Sequence, residues 1–171
     1  MSETNNIVII GCGRSGTKFI SQHLGIGHEK LAGNGLACWQ SVVDNNGFYE
    51  IKSGDYILHQ VRHPLDVISS CHTIQLDSSW ELIHQHIQSI NEGDSILSKC
   101  RNYWYHWNLM AERRALTTYR VEDVFSKVSL KTNTRKDWEN YSRKEWADLK
   151  RENRKLCKAI RKLAEKYGYD D

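Results

Sequence analysis

The stretch NIVIIGCGRSGTKFISQHL, residues 6–24, sets the architecture of the chain around it. Four apolar residues, Ile7, Val8, Ile9 and Ile10, read as a buried strand. The run stops at a glycine-rich turn, and a helical pattern resumes with Phe19, Ile20 and Leu24. Strand, glycine turn and helix in this order aim backbone N–H groups and a helix N-terminus at one spot. Such a spot attracts an oxyanion, usually a phosphate. Gly11, Gly13 and Gly16 allow close ligand approach, and Arg14, Ser15, Thr17 and Lys18 supply cationic and hydroxyl donors. A bare surface turn is the alternative, and the apolar strand directly ahead of it argues against that.

The phosphate-loop pattern G-x-x-x-x-G-K-[ST] is met only in part. Gly11 and Gly16 have the right separation, but Thr17 stands where the lysine belongs and Lys18 comes one place late. One residue turns a side chain by roughly 100° around a helix, so Lys18 is no simple substitute. The dinucleotide pattern G-x-G-x-x-G matches at Gly11, Gly13 and Gly16, without an acidic residue closing a clear second strand.

A second segment, DYILHQVRHPLDVISSCHT, carries another apolar strand from Tyr56 to Val61 that ends in Arg62. Pro64 suits the first turn of a helix, where its missing N–H would be unpaired anyway. Asp66 falls in that same turn, where a carboxylate suits the dipole. Arg62 and Ser70, at the strand end and two turns into the helix, could clamp a second phosphate. Equally, Arg62 could pair with Asp66 in a plain strand-to-helix joint.

Together these segments resemble the sulfotransferases that use 3'-phosphoadenosine 5'-phosphosulfate (PAPS). GCGRSGTK looks like that family's 5'-phosphosulfate loop, with its core [KR]-S-G-T-[TS]. RHPLDVISS looks like the 3'-phosphate motif R-x-P-x-D-x-x-x-S, every fixed position being present at Arg62, Pro64, Asp66 and Ser70. TYRVEDVF, residues 118–125, is similar to a Y-R-x-E-D-L segment after a later core strand, and the run ending in KYGYDD looks like the closing helix. The chain departs from the pattern at Lys18, where a second threonine is common, and it is short for the family. The resemblance implies a P-loop-containing three-layer α/β/α fold with a parallel central sheet, one domain over residues 1–171. It also implies PAPS as donor and adenosine 3',5'-bisphosphate as product, with no metal. The donor contacts would come from Gly11, Gly13, Arg14, Ser15, Gly16, Thr17, Lys18, Arg62 and Ser70.

Composition agrees with a small soluble enzyme. The 171 residues suffice for one domain with a real core. A hydrophobic content of 39% and a mean hydropathy of −0.65 argue against membrane spans, which need ~20 apolar residues. With the polar start MSETNN, no signal peptide and a cytoplasmic location are expected. Cys12, Cys38, Cys71, Cys100 and Cys157 form no C-x-x-C pair and read as reduced thiols. The eight histidines suggest no metal site; His84 and His86 would face different directions of one helix. From Lys131 onward, 13 Lys+Arg stand against 8 Asp+Glu, leaving 11 against 13 elsewhere. An apolar stripe at Trp146, Leu149, Leu156, Ile160, Leu163 and Tyr167 makes this tail an amphipathic helix with a solvated basic face rather than a nucleic-acid binder.

Between these motifs the pattern predicts a short strand and mobile loop over Ile26 to Leu36 and an extended piece at 47–50. Helices are expected over Trp80 to Ile90 and Ser95 to Arg114, a strand over Ala115 to Arg120, and a helix, broken or whole, over Arg143 to Tyr167. Strands alternating with helices give a parallel sheet, with Ile7–Ile10 central between Tyr56–Val61 and Ala115–Arg120. Trp104 and Trp107 share a helix face and read as core, with an acceptor platform as the alternative.

Sulfuryl transfer needs neutralisation of the departing bisphosphate, a role that suits Arg14 and Lys18. It also needs a base for the acceptor hydroxyl or amine. Related sulfotransferases use a histidine or glutamate near the donor sulfate, and GIGHEK offers His28 and Glu29. Glu29 is preferred, with a surface pair to Lys30 as the plain alternative. The acceptor would be a small molecule or saccharide. Two other classes stay open: a kinase-like phosphotransferase, for which Glu122-Asp123 comes nearest to a magnesium carboxylate, and a non-catalytic nucleotide-binding module.

Overall fold

The computed structural model of the protein describes residues 5–44, 49–74, 76, 79–125 and 141–170. Two compact units divide the chain: Met1–Val61 with Trp107–Val121, and Arg62–His106 with Glu122–Asp171. The first unit carries a five-stranded, all-parallel sheet, making this an α/β protein. Its strands are β1 (Ile7–Ile10), β2 (Gly27–His28), β3 (Gly35–Ala37), β4 (Tyr56–Val61) and β5 (Thr117–Arg120), in the order β2-β3-β1-β4-β5.

β1 is central because its sequence tolerates burial on both faces. Val8, Ile9 and Ile10 are consecutive, so their side chains alternate between faces, yet all three are fully buried. Each such side chain contributes about 1.5–3 kcal/mol of hydrophobic stabilisation. β4 runs beside β1 from Ile7↔Tyr56 to Ile10↔His59. On the other side β1 pairs with β3, not with β5; β5 lies beyond β4. That corrects the expected neighbour. The three-residue β3 has no apolar run of its own and hides within a glycine-rich stretch. There, Ala32 and Gly35 exchange both backbone hydrogen bonds at 3.3 Å, closing a tight turn between two short strands in place of a strand and loop.

α1 (Thr17–Leu24) follows β1. The second unit holds α2 (Pro64–Ile74), α3 (Trp80–His86) and the first half of α4 (Ile96–Arg114), whose last turns belong to the sheet unit. α5 (Val121–Phe125) directly continues β5, and α6 (Trp146–Glu152) and α7 (Arg154–Lys166) complete the second unit. The C-terminal helix is broken at Asn153, whose extended backbone and side chain, accepting from the Leu156 N–H at 3.0 Å, start α7 afresh. Along α7, Cys157, Ile160 and Leu163 are buried while Arg154, Lys158 and Lys162 face solvent. Tyr103, Trp104 and Trp107 are buried, as packing requires. All five cysteines are buried, and none is joined in a disulfide among the described residues. Residues 47–48 of the expected extended piece lie outside the described residues, and 49–50 form no strand. Among the described residues no helix is long and apolar enough to cross a membrane.

Candidate functional site

Beyond Ile10 the chain runs so close to β4 that a Cβ on Gly11 would strike the Gln60 carbonyl oxygen. The same Cβ would stand 3.4 Å from Ser15 Oγ, so the serine hydroxyl hangs over Gly11. The loop then turns through two left-handed residues, Arg14 (φ 71°) and Gly16 (φ 95°), with the Ser15 N–H donating to the Cys12 carbonyl at 3.2 Å. Gly16 opens α1 without any side-chain cap, and no acidic residue stands in the first turn. By position, the first-turn amides of Thr17 and Lys18 lack an intrahelical acceptor, and no acidic side chain of the first turn offsets the positive end of the helix dipole. Arg14 is partly exposed and Lys18 exposed beside it.

Ser15 is 1% exposed, and its hydroxyl has no hydrogen-bond partner among the described residues. An unmet buried hydroxyl costs about 1–3 kcal/mol. Its neighbours, by contrast, are pinned. Gln60, fully buried, donates from Nε2 to the Ser15 carbonyl at 2.8 Å and accepts the Tyr119 hydroxyl on Oε1 at 2.8 Å. Burial pushes the Tyr119 phenol up, which keeps it a donor. One residue back, His59 contacts Thr118 Oγ1 through Nδ1 at 3.1 Å and Asn108 Oδ1 through Nε2 at 3.0 Å. Asn108 Nδ2 reaches Cys12 Sγ at 3.5 Å. Buried polar residues of β4 and α4 thus grip both ends of the loop.

His59 makes the fold pH-sensitive. Burial lowers its pKa from 6.5 to about 4, so between these values the unfolded chain binds the extra proton. Stability is full above the unfolded value and falls as pH drops through the window, by about 2 kcal/mol between pH 7 and pH 5. Burial lowers His72 and His106 too, in the same direction. Urea unfolding of wild type and His59→Gln at the two pH values isolates the His59 share: the variant loses most of that difference, and an unchanged difference contradicts the assignment.

The two base candidates sit at the end of β2. His28 Nε2 lies 3.4 Å from Thr17 Oγ1, which brings this imidazole to the loop. Glu29 is in the left-handed region (φ 58°), its N–H held by the Ala37 carbonyl at 3.1 Å. Its charge is felt at Cys38, whose thiol is pushed up chiefly by burial. Among the described residues only three non-glycine residues have positive φ, and two of them are Arg14 and Glu29. Such conformations cost on the order of 1–3 kcal/mol and gather at functional sites.

Arg62 and Ser70 belong to the second unit. Arg62 Nη2 stands 3.9 Å from Asp66 Oδ2, so the pairing within the strand-to-helix joint is present. Asp66 is nearer to Arg143, at 2.9 Å, and that contact raises the Arg143 pKa. The amides of α2's first turn are engaged: Leu65 N–H on His63 Nδ1 at 3.2 Å, and those of Asp66 and Val67 on the His63 carbonyl at 3.1 Å. An anion at this joint would therefore rest on side chains rather than on helix amides. Ser70 is 5% exposed; its neighbour Ser69 accepts the Lys144 N–H at 2.8 Å. Glu122, the nearest candidate for a magnesium carboxylate, accepts from the His63 N–H at 3.3 Å and from the Tyr169 hydroxyl at 2.7 Å.

The topology gives the loop its setting. β1 connects toward β2 and β3, whereas adjacent β4 connects toward β5 on the other side. In open parallel sheets ligands bind outside the carboxyl ends of two strands that part in this way. Sequence reading missed Gln60, Asn108 and Arg143; of these only Gln60, a polar residue inside an apolar strand, carried a visible signal. Comparison with protein-family models, with curated proteins and with solved structures gives no match for this chain in any of the three.

Proposed function

We propose that the protein is a single-domain, sulfotransferase-like enzyme of three-layer α/β/α architecture that moves a sulfuryl group onto a hydroxyl or amine. The observation that carries this reading is the loop after β1: a gripped, left-handed turn whose Ser15 hydroxyl has no partner among the described residues, leading into a helix start with no side-chain cap. Those features fit an oxyanion of the phosphosulfate kind, and the motif resemblance in both segments selects PAPS over other nucleotides. PAPS when bound supplies the activated sulfuryl group. Gly11, Gly13, Ser15, Gly16, Thr17 and Lys18 hold its 5' end, and Arg62 and Ser70 its 3'-phosphate. Arg14 and Lys18 offset the charge left on the departing bisphosphate. Glu29, with His28 as its rival, takes the acceptor's proton. A cytoplasmic enzyme acting on a small molecule or saccharide is the setting this implies.

The alternative, a magnesium-dependent phosphotransferase, is less well supported because both Glu122 oxygens already accept hydrogen bonds. Release of adenosine 3',5'-bisphosphate from PAPS across a panel of alcohols, amines and sugars tests the proposal. Acceptor-dependent release that survives EDTA is expected. Turnover of ATP abolished by EDTA would make it a phosphotransferase, and tight bisphosphate binding without turnover a binding module.

A further inference from the structure

We propose that Gln60 and Tyr119 act as a positioning pair that fixes the orientation of the Ser15–Gly16 peptide and so turns the Gly16 N–H toward the bound anion. This rests on the reading of the loop as an oxyanion site. The donor at 2.8 Å from the Ser15 carbonyl must be the amide nitrogen of Gln60, because a carbonyl oxygen only accepts. That choice leaves Oε1 for the Tyr119 hydroxyl at 2.8 Å, which must donate. Neither end of the Gln60 amide is free to exchange, and the side chain is fully buried. Across a planar trans peptide the C=O and the following N–H point in opposite directions. With the Ser15 carbonyl held on Gln60, the Gly16 N–H points away from Gln60, ahead of the first-turn amides of Thr17 and Lys18. The left-handed Gly16 backbone (φ 95°) carries the chain from this peptide into α1.

The two side chains come from neighbouring strands paired at Gln60↔Tyr119, so loop geometry is set by the sheet itself. Replacing the Gln60 amide by a carboxylate would put two acceptors face to face and turn the peptide over, aiming the Ser15 carbonyl at the anion. Tyr119→Phe keeps the donor but leaves Oε1 unmet and the amide free to flip.

The test is a titration with adenosine 3',5'-bisphosphate by calorimetry and by ¹⁵N NMR, following the Gly16 amide in wild type, Gln60→Glu and Tyr119→Phe. Gln60→Glu is expected to lose about tenfold or more in affinity, with the Gly16 resonance no longer responding to ligand; Tyr119→Phe is expected to lose about threefold or more. A role confined to stability would lower the unfolding temperature of both variants without changing affinity or the Gly16 response, and that outcome overturns the inference. Should Gln60→Glu not fold, Tyr119→Phe decides by the same criteria. A wild type that binds no bisphosphate overturns the site and this inference together. A wild type that binds, with variants that bind equally well, overturns the inference alone.

Discussion

Glu29→Gln lowers sulfuryl transfer by about 10²–10⁴-fold, the usual cost of losing a general base, while bisphosphate affinity stays within a small factor of wild type. In the proposed step the acceptor oxygen or nitrogen forms a bond to sulfur as the bond from sulfur to the phosphate oxygen breaks. The electron pair stays on the bisphosphate, and the acceptor's proton passes to the Glu29 carboxylate. Glu29 suits this role through its strained backbone, held against Ala37 at the carboxyl edge of the sheet. Glutamine keeps the size and the backbone strain and removes only the basicity. His28→Ala is the companion measurement, since that imidazole lies 3.4 Å from Thr17 Oγ1 at the start of α1. Loss of turnover in His28→Ala with activity kept in Glu29→Gln exchanges the roles. Full activity in both variants contradicts the assignment.

Arg62→Ala removes the preference for adenosine 3',5'-bisphosphate over AMP. A charge-assisted hydrogen bond to phosphate is worth roughly 1.5–3 kcal/mol, which is about tenfold to a hundredfold in affinity. The fold has reason to tolerate the change. Arg62 is one-third exposed and its Asp66 contact is long, while Asp66 keeps Arg143 at 2.9 Å. The indole N–H of Trp104 bonds to the Arg62 main-chain carbonyl, which alanine retains. Binding of both nucleotides, measured side by side on variant and wild type, separates loss of the 3'-phosphate contact from general damage. An undiminished preference would remove Arg62 from the site.

What the sequence made legible follows from how local each signal is. Ile7–Ile10 and Tyr56–Val61 are apolar runs with sharp ends, Gly11 and Pro64 marking the exits, so both strands were readable to the residue. The turn after β1 was equally plain, because glycines directly after such a run end the strand and permit the left-handed backbone seen at Gly16. β3 was not legible, since three residues in a glycine-rich stretch gain their strand character from pairing with β1 rather than from propensity. The helix boundary at Asn153 needed the side chain's bond to the Leu156 N–H, which a polar asparagine among basic residues does not announce. Least visible were the residues that grip the loop. Gln60 and Asn108 come from β4 and α4, and their roles depend on long-range pairing that no spacing rule encodes.

Calorimetric titration with adenosine 3',5'-bisphosphate, AMP and ATP, each with magnesium and with EDTA, addresses the central claim most directly. The bisphosphate is expected to bind at least about tenfold tighter than either competitor, with no loss of affinity in EDTA. Bisphosphate binding no stronger than that of AMP, or tighter binding of ATP that depends on magnesium, would contradict it.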